Sequence, residues 1–189
     1  MAPHRKSLPF RTLFNNLGPL INPARPRGIL LGITERELGL PFAQSLRDEG
    51  VTRAMVVCGA DGLDEISCAG DTWAWSLTPD GNIVETVLHP EQFGLGTHPL
   101  AAVSGGRASE NAATLTRLLT SGEEVPEELR PVLEFVLLNA AALLVVAGVA
   151  GNFKDGVQLA RESIASGAAW KALETFREAG RTAKASSAA

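Results

Sequence analysis

The sequence contains no tyrosine, and aromatic residues make up only 5% of its 189 positions. That scarcity weakens any reading built on platforms that stack nucleobases. An excess of basic charge is missing too: 17 Lys and Arg face 21 Asp and Glu, giving a net charge of -4. Nucleic-acid binding normally leaves the opposite footprint, so no nucleic-acid partner is expected. There are two cysteines, Cys58 and Cys68, too few for a disulfide scaffold, which points to a reducing, cytoplasmic compartment. The stretch MAPHRKSLPF is basic but leads into no apolar core, so it is not expected to act as a secretory signal. One long uncharged run exists, 135-FVLLNAAALLVVAGVAGNF-153, and Ala, Gly and Asn dilute it. Without aromatic or basic anchors it is expected to be a buried core helix, not a membrane span.

What remains is a chain long enough to bury a substantial core in one domain. Residues 1–27 form a lead-in segment and a proline-rich loop, 28–178 an α/β domain, and 179–189 a flexible tail. The run 29-ILLGI-33 is continuously apolar, as expected of a strand covered on both faces. Thr34 with Glu37 three residues on is a capping-box signature. The helix it opens should reach about Glu49, be kinked or split by Pro41, and stop at Gly50. With 54-AMVVCG-59 as the next strand this makes a βαβ unit, whose strands should be parallel. The pattern in 72-TWAWSL-77 then switches to period two, predicting a half-buried strand. The turn 79-PDGN-82 returns the chain as 83-IVETVL-88, an antiparallel partner. The rest should be helical: 108 to 121 with Ala112, Leu115, Leu118 and Leu119 on one face, a long helix opened by Pro131, a helix closed by Gly167, and a last one carrying Trp170, Leu173 and Phe176. The fold class is α/β, a mixed, partly parallel sheet flanked by helices.

Three carboxylates, Asp61, Asp64 and Glu65, crowd into 58-CGADGLDEISCAG-70 just past the second strand. Open α/β sheets bind ligands at that carboxyl edge. Hard oxygen donors suit Mg²⁺, which takes one or two carboxylates and completes its shell with water and phosphate oxygens. An Asp-Gly turn with solvated charges fits the same spacing. A second candidate, 104-SGGRAS-109, leads into a helix start but lacks the Lys and Ser/Thr of a P-loop, so a linker is expected. Arg11 stands among apolar residues, where a guanidinium could grip a carboxylate at two points or simply sit on the surface. No Ser-His-Asp or Cys-His nucleophile is evident, and His4, His89 and His98 show no ligand spacing.

Three blocks, RTLFNNLGPLINP (Arg11 to Pro23), VVCGADGLDEIS (Val56 to Ser67) and VLLNAAALLVVAG (Val136 to Gly148), resemble, in order and spacing, those of the anthranilate phosphoribosyltransferase family. That family moves a phosphoribosyl group from phosphoribosyl pyrophosphate to the amine of anthranilate, in tryptophan biosynthesis. The resemblance implies a C-terminal α/β domain of the nucleoside phosphorylase/phosphoribosyltransferase type. It further implies Mg²⁺ ligation by Asp64 and Glu65 and an anthranilate carboxylate contact by Arg11.

Members of the family carry, before the first block, a helical segment and a glycine-rich loop, typically GTGGD, that cradles pyrophosphate. Neither is found in this sequence, and SGGRAS corresponds to a later position. The chain is therefore expected to be the carboxyl-terminal half of such an enzyme, weak or inactive alone. The family's homodimer forms largely through the helical half, so this chain is not expected to dimerise that way. A nucleic-acid-binding relative of the same fold is disfavoured by the acidic charge and the GLDE block. A pyrimidine nucleoside phosphorylase-like enzyme is disfavoured by RTLFNNLGPL.

Overall fold

A computed structural model of the chain describes residues 23–186 together with Gly18 and Leu20. Strand β1 (Gly28–Gly32) runs parallel to β2 (Arg53–Gly59), with Leu31 opposite Val56. Between them lie a 3₁₀ turn, Arg36–Leu38, and helix α1 (Gly39–Asp48). The connection is thus split, as Pro41 requires. Pro41 falls in the first turn of α1, where an N–H would have no helical partner anyway. The expected Thr34 capping box does not form: the N-cap is Glu35, and no side chain caps the turn. Gly50 ends the helix at φ +85°, a left-handed conformation that glycine adopts without strain.

Strands β3 (Thr72–Leu77) and β4 (Ile83–Leu88) form the antiparallel hairpin that completes the order β1-β2-β3-β4 among the described residues. Its turn is closed by the Gly81 amide donating to the Thr78 carbonyl at 2.9 Å. The half-buried expectation for β3 needs correction. Thr72 and Ala74 on one face are fully buried, and Trp75 and Leu77 on the other are 3% exposed. Pairing with β2 on one side and β4 on the other makes β3 an interior strand, and helices cover both its faces.

The covering layers differ. On one face α1 packs Phe42, Ala43 and Leu46 against Ala54, Val56, Cys58, Trp75 and Leu77. On the other, Met55, Val57, Ala74 and Leu88 meet the helices that follow. These are α2 (Ala108–Thr120), α3 (Arg130–Val146), α4 (Phe153–Ala165) and α5 (Ala168–Ser186). Each fully buried Leu or Val there stabilises the fold by about 1.5–3 kcal/mol before entropy is charged against it.

Pro131 does open α3, and Leu133, Leu137, Leu138, Ala141, Ala142 and Val146 give it a buried face. Glu127–Val146 is, among the described residues, the one helical stretch long and apolar enough to cross a membrane. Its place in the core explains that composition. Helix α4 crosses α3 so closely that a Cβ on Gly156 would stand 2.8 Å from the Ala141 carbonyl oxygen. Only the last turn of α2 is buried, through Leu118 and Leu119, whereas Leu115 is 41% exposed. Helix α5 continues through Ser186, across most of the stretch expected as a tail, and Phe176 on it is 78% exposed.

Candidate metal centre and its supporting loop

The sheet's carboxyl edge is made by the ends of β1 and β2, and each of these strands closes on a glycine, Gly32 and Gly59. The loop from 60 to 71 folds back over that edge. Its closure starts from the backbone: the Gly59 amide donates to the Leu63 carbonyl at 2.8 Å, and the Ala60 amide to that of Asp71 at 2.9 Å. Asp61 then ties the loop from inside. Its Oδ1 accepts from the Leu63 amide at 3.1 Å and its Oδ2 from the Ser67 hydroxyl at 2.7 Å. The Ser67 amide donates to Thr72 Oγ1 at 2.9 Å, and Ile66, Ser67 and Cys68 are all but fully buried. Next to them, the His98 amide donates to the Cys68 carbonyl at 2.8 Å.

This assigns the three sequence-predicted carboxylates to two jobs. Asp61 engages both carboxylate oxygens in the loop's own hydrogen bonds. Asp64 and Glu65 are exposed at the same rim. The Glu65 carboxyl is pushed above its ordinary range, first by partial desolvation and then by the charge of Asp64. Two neighbouring carboxylates, one of them partly desolvated and repelled by the other, form a donor set a divalent cation relieves. Among the described residues no three His, Cys, Asp or Glu side chains converge into a closed metal cage. A pair of hard donors opening to solvent suits Mg²⁺, which keeps waters and takes phosphate oxygens. Arg11, the expected anthranilate contact, lies outside the described residues.

The glycine pair of 104-SGGRAS-109 is occupied by the protein itself. The Gly106 amide donates to Asn111 Oδ1 and the Arg107 amide to Glu110 Oε2, both at 2.7 Å. Both side chains belong to the start of α2, so these amides cap a helix and do not cradle phosphate.

Two residues were missed in the sequence. Asn139, midway along α3, pairs with both backbone groups of Ile66, beside Glu65. A signal for it existed: it is the one polar side chain between Phe135 and Gly151. Glu134, 8% exposed, accepts from His98 Nε2 at 2.8 Å, Arg130 Nε at 3.1 Å and the Gly96 amide at 3.2 Å. Burial by itself would raise its pKa, but these donors together hold the carboxyl below its ordinary range. No motif marks Glu134, because two of its partners, Gly96 and His98, come from a distant loop.

A mixed α/β sheet with helices on both faces and an acidic loop at its carboxyl edge is the kind of fold that binds ligands at that edge. The chain belongs to the glycosyl transferase family, a/b domain, whose family model matches residues 1–170. It is 44% identical over 176 residues to anthranilate phosphoribosyltransferase from Schizosaccharomyces pombe, covering 93% of this chain and 49% of that protein. The Deinococcus radiodurans enzyme of the same name is 39% identical over 175 residues, covering 93% and 50%. Among solved structures, anthranilate phosphoribosyltransferase from Saccharomyces cerevisiae in complex with 4-fluoroanthranilate superposes with a TM-score of 0.84 at 33% identity, covering 93% of this chain and 49% of that one. The same yeast enzyme in complex with PRPP and Mg gives 0.81 over the same shares. The chain thus spans about half the length of the relatives it matches.

Proposed function

We propose that this chain is the α/β half of an anthranilate phosphoribosyltransferase of tryptophan biosynthesis, working in the cytoplasm with Mg²⁺. The observation that carries the proposal is the match over 93% of the chain to enzymes of that name, joined to two exposed carboxylates at the rim where such a fold binds ligands. In the reaction the anthranilate nitrogen bonds to C1 of the ribose, the C1–oxygen bond breaks, pyrophosphate leaves, and the amine gives up a proton. No nucleophilic side chain is needed. Magnesium, when bound, neutralises the charge that builds on the departing pyrophosphate.

The chain's own residues hold and orient. Asp64 and Glu65 present the two oxygen donors, and the hydrogen bonds of Asp61 keep the loop beneath them in one shape. Arg11, by resemblance, grips the anthranilate carboxylate in two-point fashion, so that the amine and not water reaches the ribose. By itself the chain is expected to turn over little or nothing.

A fusion tests the proposal: the part of the S. pombe enzyme outside the matched half, joined ahead of this chain. Conversion of anthranilate and phosphoribosyl pyrophosphate, dependent on Mg²⁺, is the expected result. A folded, soluble fusion that never consumes anthranilate would overturn it. Within an active fusion, Arg11→Ala should raise KM for anthranilate far more than it changes KM for phosphoribosyl pyrophosphate.

A further inference from the structure

A polar amide in the middle of a core helix must meet partners or cost stability. Asn139 meets them in one place. Its Oδ1 accepts from the Ile66 amide at 2.9 Å, and its Nδ2 donates to the Ile66 carbonyl at 3.2 Å. A backbone N–H can only donate, so the amide has one orientation that serves both groups. The Phe135 carbonyl, accepting from the same Nδ2 at 3.2 Å, holds that orientation from one turn back. Ile66 is fully buried and directly follows Glu65. At the other end of the acidic pair, the Asp64 carbonyl lies so tightly on Gly32 that a Cβ there would collide with it. The dipeptide Asp64-Glu65 is therefore gripped before and after by contacts that use none of its carboxylate oxygens.

We propose that Asn139 is a positioning residue for Asp64 and Glu65, fixing where the two carboxylates stand over the sheet edge and so how well they hold a divalent cation. This holds only if the pair binds metal as proposed above. A purely structural Asn139 would fasten α3 to the loop and contribute to stability without touching cation affinity. Outer residues that orient metal ligands typically change affinity by about 10- to 100-fold when removed.

The test uses the 189-residue chain and Mn²⁺ alone, read as paramagnetic broadening of the Asp64 and Glu65 amide signals. Hydrogen exchange is followed in parallel at Ile66 and at Val56 and Trp75 in the central ladder. Asn139→Ala should raise the apparent Mn²⁺ Kd by roughly tenfold, with Val56 and Trp75 still protected. Asn139→Asp keeps an acceptor for the Ile66 amide and loses the donor, so a smaller rise is expected; it also serves if the alanine variant does not fold. An unchanged Kd in a folded variant whose Ile66 amide has lost protection overturns the positioning role and leaves the metal site intact. Wild-type broadening that Asp64→Asn with Glu65→Gln does not remove sinks the metal site itself, and the role of Asn139 with it.

Discussion

The loop at 60–71 and the stretch from Gly94 to Asn111 use their acidic surroundings in opposite ways. In the first, one aspartate and a serine close the backbone, and two neighbouring carboxylates stay exposed. In the second, the carboxylates themselves close the backbone: Glu134 takes the Gly96 amide and His98, and Glu110 takes the Arg107 amide. Charge left over marks a site, and charge consumed marks a scaffold. Both stretches offer glycines and acids to a reader of the sequence, yet only the first is proposed above to bind a ligand. Removing acids should therefore cost function in one region and stability in the other.

The largest effect should come from Asp64→Asn with Glu65→Gln in the fusion. Turnover is expected to fall by about 10²–10³-fold, the usual loss when an electrostatic stabiliser of a leaving group is removed. The thermal midpoint should hold or rise, since the partly desolvated charge of Glu65 and its repulsion by Asp64 are both gone. A large fall in stability instead would mean these carboxylates are scaffold after all. Next, Gly32→Ala forces a methyl into the Asp64 carbonyl; overpacking of this kind costs about 1–3 kcal/mol, or more where backbone must move. Chemical denaturation reads the loss, and the Asp64 amide signal should shift with it.

Glu134→Ala is expected to cost roughly 2 kcal/mol, because it removes the charged acceptor shared by three part-buried hydrogen bonds. Its pH dependence has a definite sign. The folded pKa lies below the unfolded one, so the contribution is fully present above the unfolded value of about 4.3. It is lost as the pH falls through the lower folded pKa. Denaturation curves of wild type should therefore weaken on that acid limb, and the alanine variant should lack this component. Equal acid sensitivity in both proteins would remove Glu134 from the scaffold.

Much of this was legible in the sequence, because local rules govern it. The apolar run ILLGI, Gly50 after a helical pattern and the Pro-Asp-Gly turn each dictate backbone shape within a few residues. The acidic pair was legible from its place after a strand. What escaped depends on contacts between distant segments. Trp73 and Trp75 alternate like a half-wet strand, yet α1 buries Trp75 on one face while the later helices bury Ala74 on the other, and Arg36 lies 4.5 Å over the Trp73 ring. Nothing within TWAWSL announces those neighbours. Asn139 and Ile66 stand 73 residues apart, so their pairing is a property of the packed molecule. The split of jobs between Asp61 and its neighbours is likewise decided by the Ser67 hydroxyl, which periodicity does not see.

The smallest expected effect sharpens the comparison most, because it concerns the loop that looked like a phosphate cradle. Asn111 accepts from the Gly106 amide and returns a bond to the Gly106 carbonyl at 3.3 Å, in an exposed setting. Asn111→Ala should behave as a lost helix cap, costing about 0.5–1 kcal/mol in denaturation experiments. Turnover in the fusion should not change, since the amide it frees serves the helix cap. If turnover instead fell tenfold with the fold intact, the glycine pair would be handling phosphate, and consumed charge could no longer be taken as the mark of scaffold. Measuring both quantities on the same preparation separates the two cases, because a cap acts through the folded fraction and a cradle through the rate.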